Sequence, residues 1–105
     1  MIRRQYAFID EKVIEEGVER AAKALAPDVV RIRFNLGEDW TGDDSIFFKI
    51  VVSDKAGRKV MNSDLNWRVK SALRREIEPE ELGLIDYFNF RSVSELAQMS
   101  EKDWD

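Results

Sequence analysis

Neither cysteine nor histidine occurs among the 105 residues. Their absence excludes disulfides, zinc-finger motifs, imidazole or thiolate metal ligands, a cysteine nucleophile and any proton relay through imidazole. Most hydrolytic enzymes are argued against on that ground. Proline and glycine are also scarce, at 2 and 5 residues, and no repeat, low-complexity tract or linker interrupts the chain. Residues 1–105 therefore read as one domain of ordinary size. No apolar run approaches the roughly 20 residues that a membrane span needs. After Arg3 and Arg4 only Tyr6 to Ile9 is apolar before Asp10 and Glu11, whereas a secretory signal requires about 7–15 such residues. The expectation is a soluble, cytoplasmic protein.

Hydrophobic residues make up 44% of the chain and charged residues 36%. The charged share exceeds the roughly 25% usual in globular proteins, but both signs are interleaved and the apolar fraction is ordinary, so the chain should fold. A net charge of −4 favours solubility and disfavours non-specific attachment to nucleic acid.

The hydrophobic pattern changes period along the chain. Asp10 is placed to cap a helix with Val13, Ile14, Val18, Ala21, Ala22 and Leu25 on one face. Gly17 weakens such a helix by about 1 kcal/mol relative to alanine, which points to a close neighbour. Ala26-Pro27 ends it. Val29 to Leu36 then alternates, with Val30, Ile32, Phe34 and Leu36 on one face and Arg31, Arg33 and Asn35 on the other. Ile46 to Ser53 repeats the pattern, with Ile46, Phe48, Ile50 and Val52 opposed to Phe47, Lys49 and Val51. Both are strands covered on one side. The connection from Gly37 to Ser45 is read as too long for a tight hairpin, yet antiparallel pairing is favoured because a parallel crossover needs more chain.

Asp54 to Gly57 reads as a turn. Met61, Leu65, Val69, Ala72, Leu73 and Ile77 define a second amphipathic helix over about 60–77, broken by Pro79 to Gly83. Leu84 to Phe90 is a third strand, an edge candidate because of Asp86 and Asn89. Ser92 to Glu95 has capping-box spacing and starts a short helix with Leu96 and Met99 inward. The tail carries Trp104. The fold class is α+β, order α-β-β-α-β-α, with helices on one face of a small three-stranded sheet that is mostly antiparallel or mixed.

Three groups of residues carry candidate chemistry. Glu38, Asp39, Asp43 and Asp44 offer enough oxygen for Mg²⁺ or Ca²⁺, although the spacing is not that of an EF-hand. The simpler reading makes them turn formers and solvated charges, and no metal or other cofactor is expected. Trp40, inside that polar loop, either packs back on the fold or anchors a partner. Arg58, Lys59, Arg68, Lys70, Arg74 and Arg75 form a basic stretch opposed only by Asp64, which raises RNA binding as one use. Helices also place cations near their C-terminal turn for electrostatic reasons alone. Finally, Arg31, Arg33, Lys49 and Phe47 share the sheet face turned from the core, and Tyr87 should join them while Phe88 and Phe90 point inward. An aromatic and arginine-rich surface of this kind suits a protein partner.

Two stretches carry a family resemblance. VVRIRFNLGEDWTGDDSIFFKIVV (Val29 to Val52) and GLIDYFNFRS (Gly83 to Ser92) resemble a family of small bacterial proteins encoded beside HEPN-domain proteins, a helical group that includes toxin ribonucleases. The likeness covers most of the chain from about residue 10. The element order also resembles the minimal nucleotidyltransferase fold, whose members act as antitoxins to HEPN toxins. That fold has a Gly-Ser turn followed by a strand bearing an Asp-x-Asp pair. Here Leu36, Gly37 and Glu38 occupy the turn, and Ile46 and Phe48 stand where the acids would project. Two-metal phosphoryl transfer needs carboxylates there, so the resemblance implies a version without transferase activity.

The leading expectation is thus a non-enzymatic binding protein, an antitoxin-like partner of a HEPN ribonuclease, contacting it through Arg31, Arg33, Trp40, Phe47 and Tyr87. The alternatives are a divergent metal-dependent nucleotidyltransferase or nuclease using Glu38, Asp39, Asp43 and Asp44, and an RNA-binding protein.

Overall fold

Asp10 caps the first helix, α1 (Glu11–Leu25), by accepting a hydrogen bond from the Lys12 amide at 3.0 Å. The computed structural model describes residues 9–57 and 63–99, so Tyr6, Arg58, Lys59, Met61 and Trp104 lie outside the described residues. Ile14, Gly17, Val18, Ala21 and Leu25 are buried along α1, one turn apart as the pattern predicts. Val13 is the exception. It is 60% exposed, because the buried stripe is centred near Ile14 and Ala21, with Gly17 at its edge, and Val13 lies about 90° around the helix from that centre.

Gly17 sets how close the helices come. A β-carbon there would lie 3.1 Å from both the Glu76 carbonyl oxygen and Ile77 Cγ1, near the end of the second long helix, α3 (Ser63–Ile77). Arg20 Nε closes the same interface with a 2.9 Å ion pair to Glu76. Leu65, Val69, Ala72, Leu73 and Ile77 of α3 join the α1 stripe in one core.

That core is completed by the sheet. Strands β1 (Val29–Glu38) and β2 (Asp44–Val52) are antiparallel, with Ile32 opposite Ile50, Phe34 opposite Phe48 and Leu36 opposite Ile46. Ile46, Phe48, Ile50 and Val52 are at most 1% exposed. The pairing shifts register between Val29 and Arg31, so one residue is left unpaired and the faces swap at that end. Val29 is therefore buried and Val30 is 57% exposed, the reverse of the simple alternation.

The β1–β2 connection is also tighter than its composition implies. Both strands continue into the acidic stretch, and only residues 39–43 form the loop. The Gly42 amide bonds the Asp39 carbonyl at 3.0 Å, and the Asp39 amide bonds the Asp43 carbonyl at 2.9 Å. Gly42 follows the turn with φ +88°, the left-handed conformation that a short hairpin loop of this type requires. Gly37, expected at the loop's start, lies inside β1.

Residues 54–57 form one helical turn, α2 (Asp54–Gly57), rather than a simple turn, and it buries Ala56. Beyond α3 the chain forms β3 (Ile85–Ser92), which pairs parallel to β2 and gives the sheet order β1-β2-β3. The long excursion through α3 supplies the crossover that parallel pairing demands. Ser92, the last residue of β3, caps α4 (Val93–Gln98) in a capping box with Glu95. Leu96 and Met99 are only partly buried, and no α4 residue is buried. The architecture is α+β with a mixed sheet and helices on the sheet. No helix among the described residues is long and apolar enough to cross a membrane.

Candidate functional site

The strand register assembles a second surface on the side of the sheet facing away from α1 and α3. Four rows run across it: Gly37, Ser45 and Ile85; Asn35, Phe47 and Tyr87; Arg33, Lys49 and Asn89; Arg31, Val51 and Arg91. Alternation alone puts Arg31, Arg33, Lys49 and Phe47 here, as expected. Pairing with β3 adds Tyr87 directly beside Phe47. Tyr87 does not adjoin Arg31, which lies two rows away.

Phe47 and Tyr87 stack with centroids 5.3 Å apart and planes at 14°. Trp40 leans on Tyr87 at 5.4 Å and 53°. The indole nevertheless remains 81% exposed. It touches the fold and faces water at once.

Asp39 fixes this aromatic group. One carboxylate oxygen accepts from the Thr41 hydroxyl at 2.6 Å, the Thr41 amide at 2.9 Å and the Asp43 amide at 3.0 Å. The other accepts from the Tyr87 hydroxyl at 2.7 Å. These bonds, those from Thr41 and Tyr87 foremost, hold the Asp39 carboxyl well below the usual carboxylate range. The same bond works in reverse on the phenol, and together with burial it pushes Tyr87 up to about 12. The hairpin tip and β3 are thereby tied together through one buried carboxylate. Its D-x-T-x-D spacing is a signal for a side-chain-closed turn that sequence reasoning can use, whereas the link to Tyr87 is visible only in three dimensions.

The other acids of the loop are differently placed. Glu38 and Asp44 face each other across the end of the ladder, and the Asp43 carboxylate is a second, longer acceptor at 3.0 Å for the one Thr41 hydroxyl proton that Asp39 takes at 2.6 Å. Among the described residues no group of three or more carboxylates is arranged to hold a metal ion. Ile46 and Phe48, standing at the acid-pair positions of the nucleotidyltransferase likeness, are 0% and 1% exposed in the core.

Lys49 is read from sequence as part of a solvated basic face. It is in fact 7% exposed, because the middle strand is overlaid by side chains from both neighbours. With the Asn35 amide turned so that its oxygen meets a donor, that oxygen accepts from Lys49 Nζ at 3.0 Å. Asn35, Lys49 and Asn89 join the three aromatic rings around an open cavity of about 490 Å³. The two asparagines and this buried lysine were not among the expected contact residues.

Several cations of α3 also have partners within the fold. Arg74 binds Asp86 through two nitrogens at 2.8 and 3.2 Å, and Arg68 lies 3.6 Å from Asp28. Lys70 and Arg74 both sit 5.5 Å from the Phe88 ring centre. Phe88 and Phe90 pack against the core from the inner face, only partly buried at the sheet edge.

A scan against protein-family models finds no match to this chain, and no curated protein matches it.

Proposed function

We propose that this protein is a small binding module that engages a protein partner through the outer face of its sheet. The partner class is the one the resemblance of residues 29–52 and 83–92 implies: a HEPN-family ribonuclease, neutralised by direct contact as an antitoxin neutralises its toxin. One observation supports the surface above all others, the 81% exposure of Trp40 on a base made rigid by Asp39 and Tyr87. A large ring kept in water yet held in place is an anchor already ordered for contact, so little entropy is lost on binding. Tyr87, Phe47, Arg33 and Arg31 extend the contact down the sheet, and tryptophan, tyrosine and arginine are the residue types that dominate interface energetics.

The resemblance implies a HEPN-domain protein encoded alongside, and the test is co-expression with it, followed by size-exclusion chromatography at micromolar concentration. Co-elution and loss of ribonuclease toxicity are expected, both weakened at least about tenfold by Trp40→Ala. Separate elution of the two wild-type proteins refutes the proposal.

A further inference from the structure

We infer that the outer edge of β1 takes up an extended segment of a partner protein as a fourth strand, in a contact separate from the outer face of the sheet. The backbone of β1 identifies this occupant.

The hairpin fixes which backbone groups face the edge. The Asp39 amide donates to the Asp43 carbonyl, and the register then runs without a shift from Glu38 and Asp44 to Arg31 and Val51. Hydrogen-bonded and non-bonded pairs alternate along an antiparallel ladder, so Gly37, Asn35, Arg33 and Arg31 turn their amides and carbonyls toward β2. Ile32, Phe34 and Leu36 turn theirs the other way. β1 ends the sheet order, and among the described residues no backbone group from beyond the sheet bonds to these three. The exposed Asn35 side chain, in the orientation that meets Lys49, reaches the Phe34 carbonyl at 3.0 Å, and that oxygen keeps a second lone pair. Another extended chain is what presents donors and acceptors at the spacing of such a row.

The surroundings leave room for one. A groove of about 370 Å³ runs along this edge, with Ile32 and Phe34 on one side and Glu15, Val18 and Glu19 of α1 on the other. Phe34 and Leu36 are half-buried at the margin of the core, so apolar side chains at alternate positions of the added strand would finish covering them. Neither proline nor bulge interrupts β1 between Arg31 and Glu38.

The opposite edge of the sheet is guarded. On β3, Asp86 is held by two bonds from Arg74 and the Arg91 side chain donates to the Phe90 carbonyl. Charged side chains of this kind blunt an edge strand.

A second copy of this chain fits the β1 edge less well. α1 lies over β1, so antiparallel pairing of two β1 edges would set two α1 helices one strand spacing apart, about 4.8 Å. Packed helices need about 8–10 Å, and the exposed Glu15 and Glu19 of the two copies would meet. The occupant is therefore a bare strand, with no helix of its own over the pairing edge.

The experiment is amide hydrogen exchange, read by NMR on the ¹⁵N-labelled full chain, with two synthetic peptides of about eight residues. Both alternate valine and threonine. In the second every backbone amide is N-methylated, which removes the donors and keeps the side chains. In the dilute protein alone the amides of Ile32, Phe34 and Leu36 should exchange rapidly. The unmodified peptide should slow them at least about tenfold and shift their resonances while those of β3 stay unchanged, and the N-methylated peptide should do neither. Slow exchange at these amides in the dilute protein alone overturns the inference, because the edge is then already covered. Protection that grows with protein concentration makes the occupant a second copy instead. Equal binding of the N-methylated peptide overturns the backbone assignment, and no effect of the unmodified peptide at millimolar concentration refutes the site. The outer-face reading stands or falls separately, on Trp40 and co-elution.

Discussion

Alternate residues of β2 inhabit two environments, and the contrast between them organises the molecule. Ile46, Phe48, Ile50 and Val52 point to the helices and are at most 1% exposed. Phe47, Lys49 and Val51 point the other way, where Lys49 and Val51 are covered by neighbouring side chains and Phe47 only in part. The inner face is sealed by apolar contact, which is non-directional and tolerant of chemical detail. The outer face is organised by directed bonds: Asp39 to Tyr87, Asn35 to Lys49, ring upon ring. One side of the strand specifies that the protein folds, and the other what it presents.

The comparison predicts unequal costs for two adjacent phenylalanines. Phe48→Ala should remove about 3–5 kcal/mol, a large part of the total stability of a domain this size, measured by urea unfolding. Phe47→Ala should cost about 1–2 kcal/mol, since it loses a ring pair but leaves the core filled. Equal costs would break the division between the faces. Gly17→Ala probes the layer that seals the inner side. On a free helix the change is worth about 1 kcal/mol of stability, but here the new methyl would meet the Glu76 carbonyl oxygen at 3.1 Å. A net loss of about 1–2 kcal/mol is expected.

The outer face is sharpened by titration. Asp39→Asn should return Tyr87 from about 12 toward its ordinary 10.0, read by ultraviolet absorbance of the phenolate. The signs of the pH dependence follow from the same bond. The Asp39 carboxyl is depressed below its ordinary 3.8, so its contribution is complete above that value and fades as pH falls further. Tyr87 holds its proton more tightly when folded, so its contribution is intact below pH 10.0 and disappears as pH rises toward about 12. The smallest effect on stability belongs to Trp40→Ala, within about 0.5 kcal/mol for so exposed a side chain. Under the proposed function its effect on partner affinity should be the largest of any outer-face substitution.

Much of the fold is legible in the sequence because the inner face obeys simple periods. The α1 stripe, the alternation of β1 and β2 and the α3 pattern each point at one core. The failures occur where one residue changes the count or a contact comes from far away. Val30 is misplaced because a register shift is invisible to alternation, and Val13 because a stripe has width but no marked centre. The acidic loop reads as long because its ends are strand residues with polar side chains. Arg31, Arg33, Phe47 and Tyr87 are brought to one face as expected. The binding of Asp39 to Tyr87 joins residues 48 apart in sequence, and no local pattern encodes it.

The central strand has one neighbour that is close in sequence and one that is remote. The β1–β2 hairpin closes through residues 39–43, a local event that chains complete in microseconds. The parallel partner lies 40 residues on, Ile85 pairing with Ser45, so β3 docking should be the slow, late step of folding. Until it docks, the far edge of β2 exposes unpaired amides and carbonyls beside its most apolar residues. A chain emerging from the ribosome passes through that stage before Ile85 is free to pair, which makes the incomplete protein, rather than the finished one, the form most in need of chaperone protection.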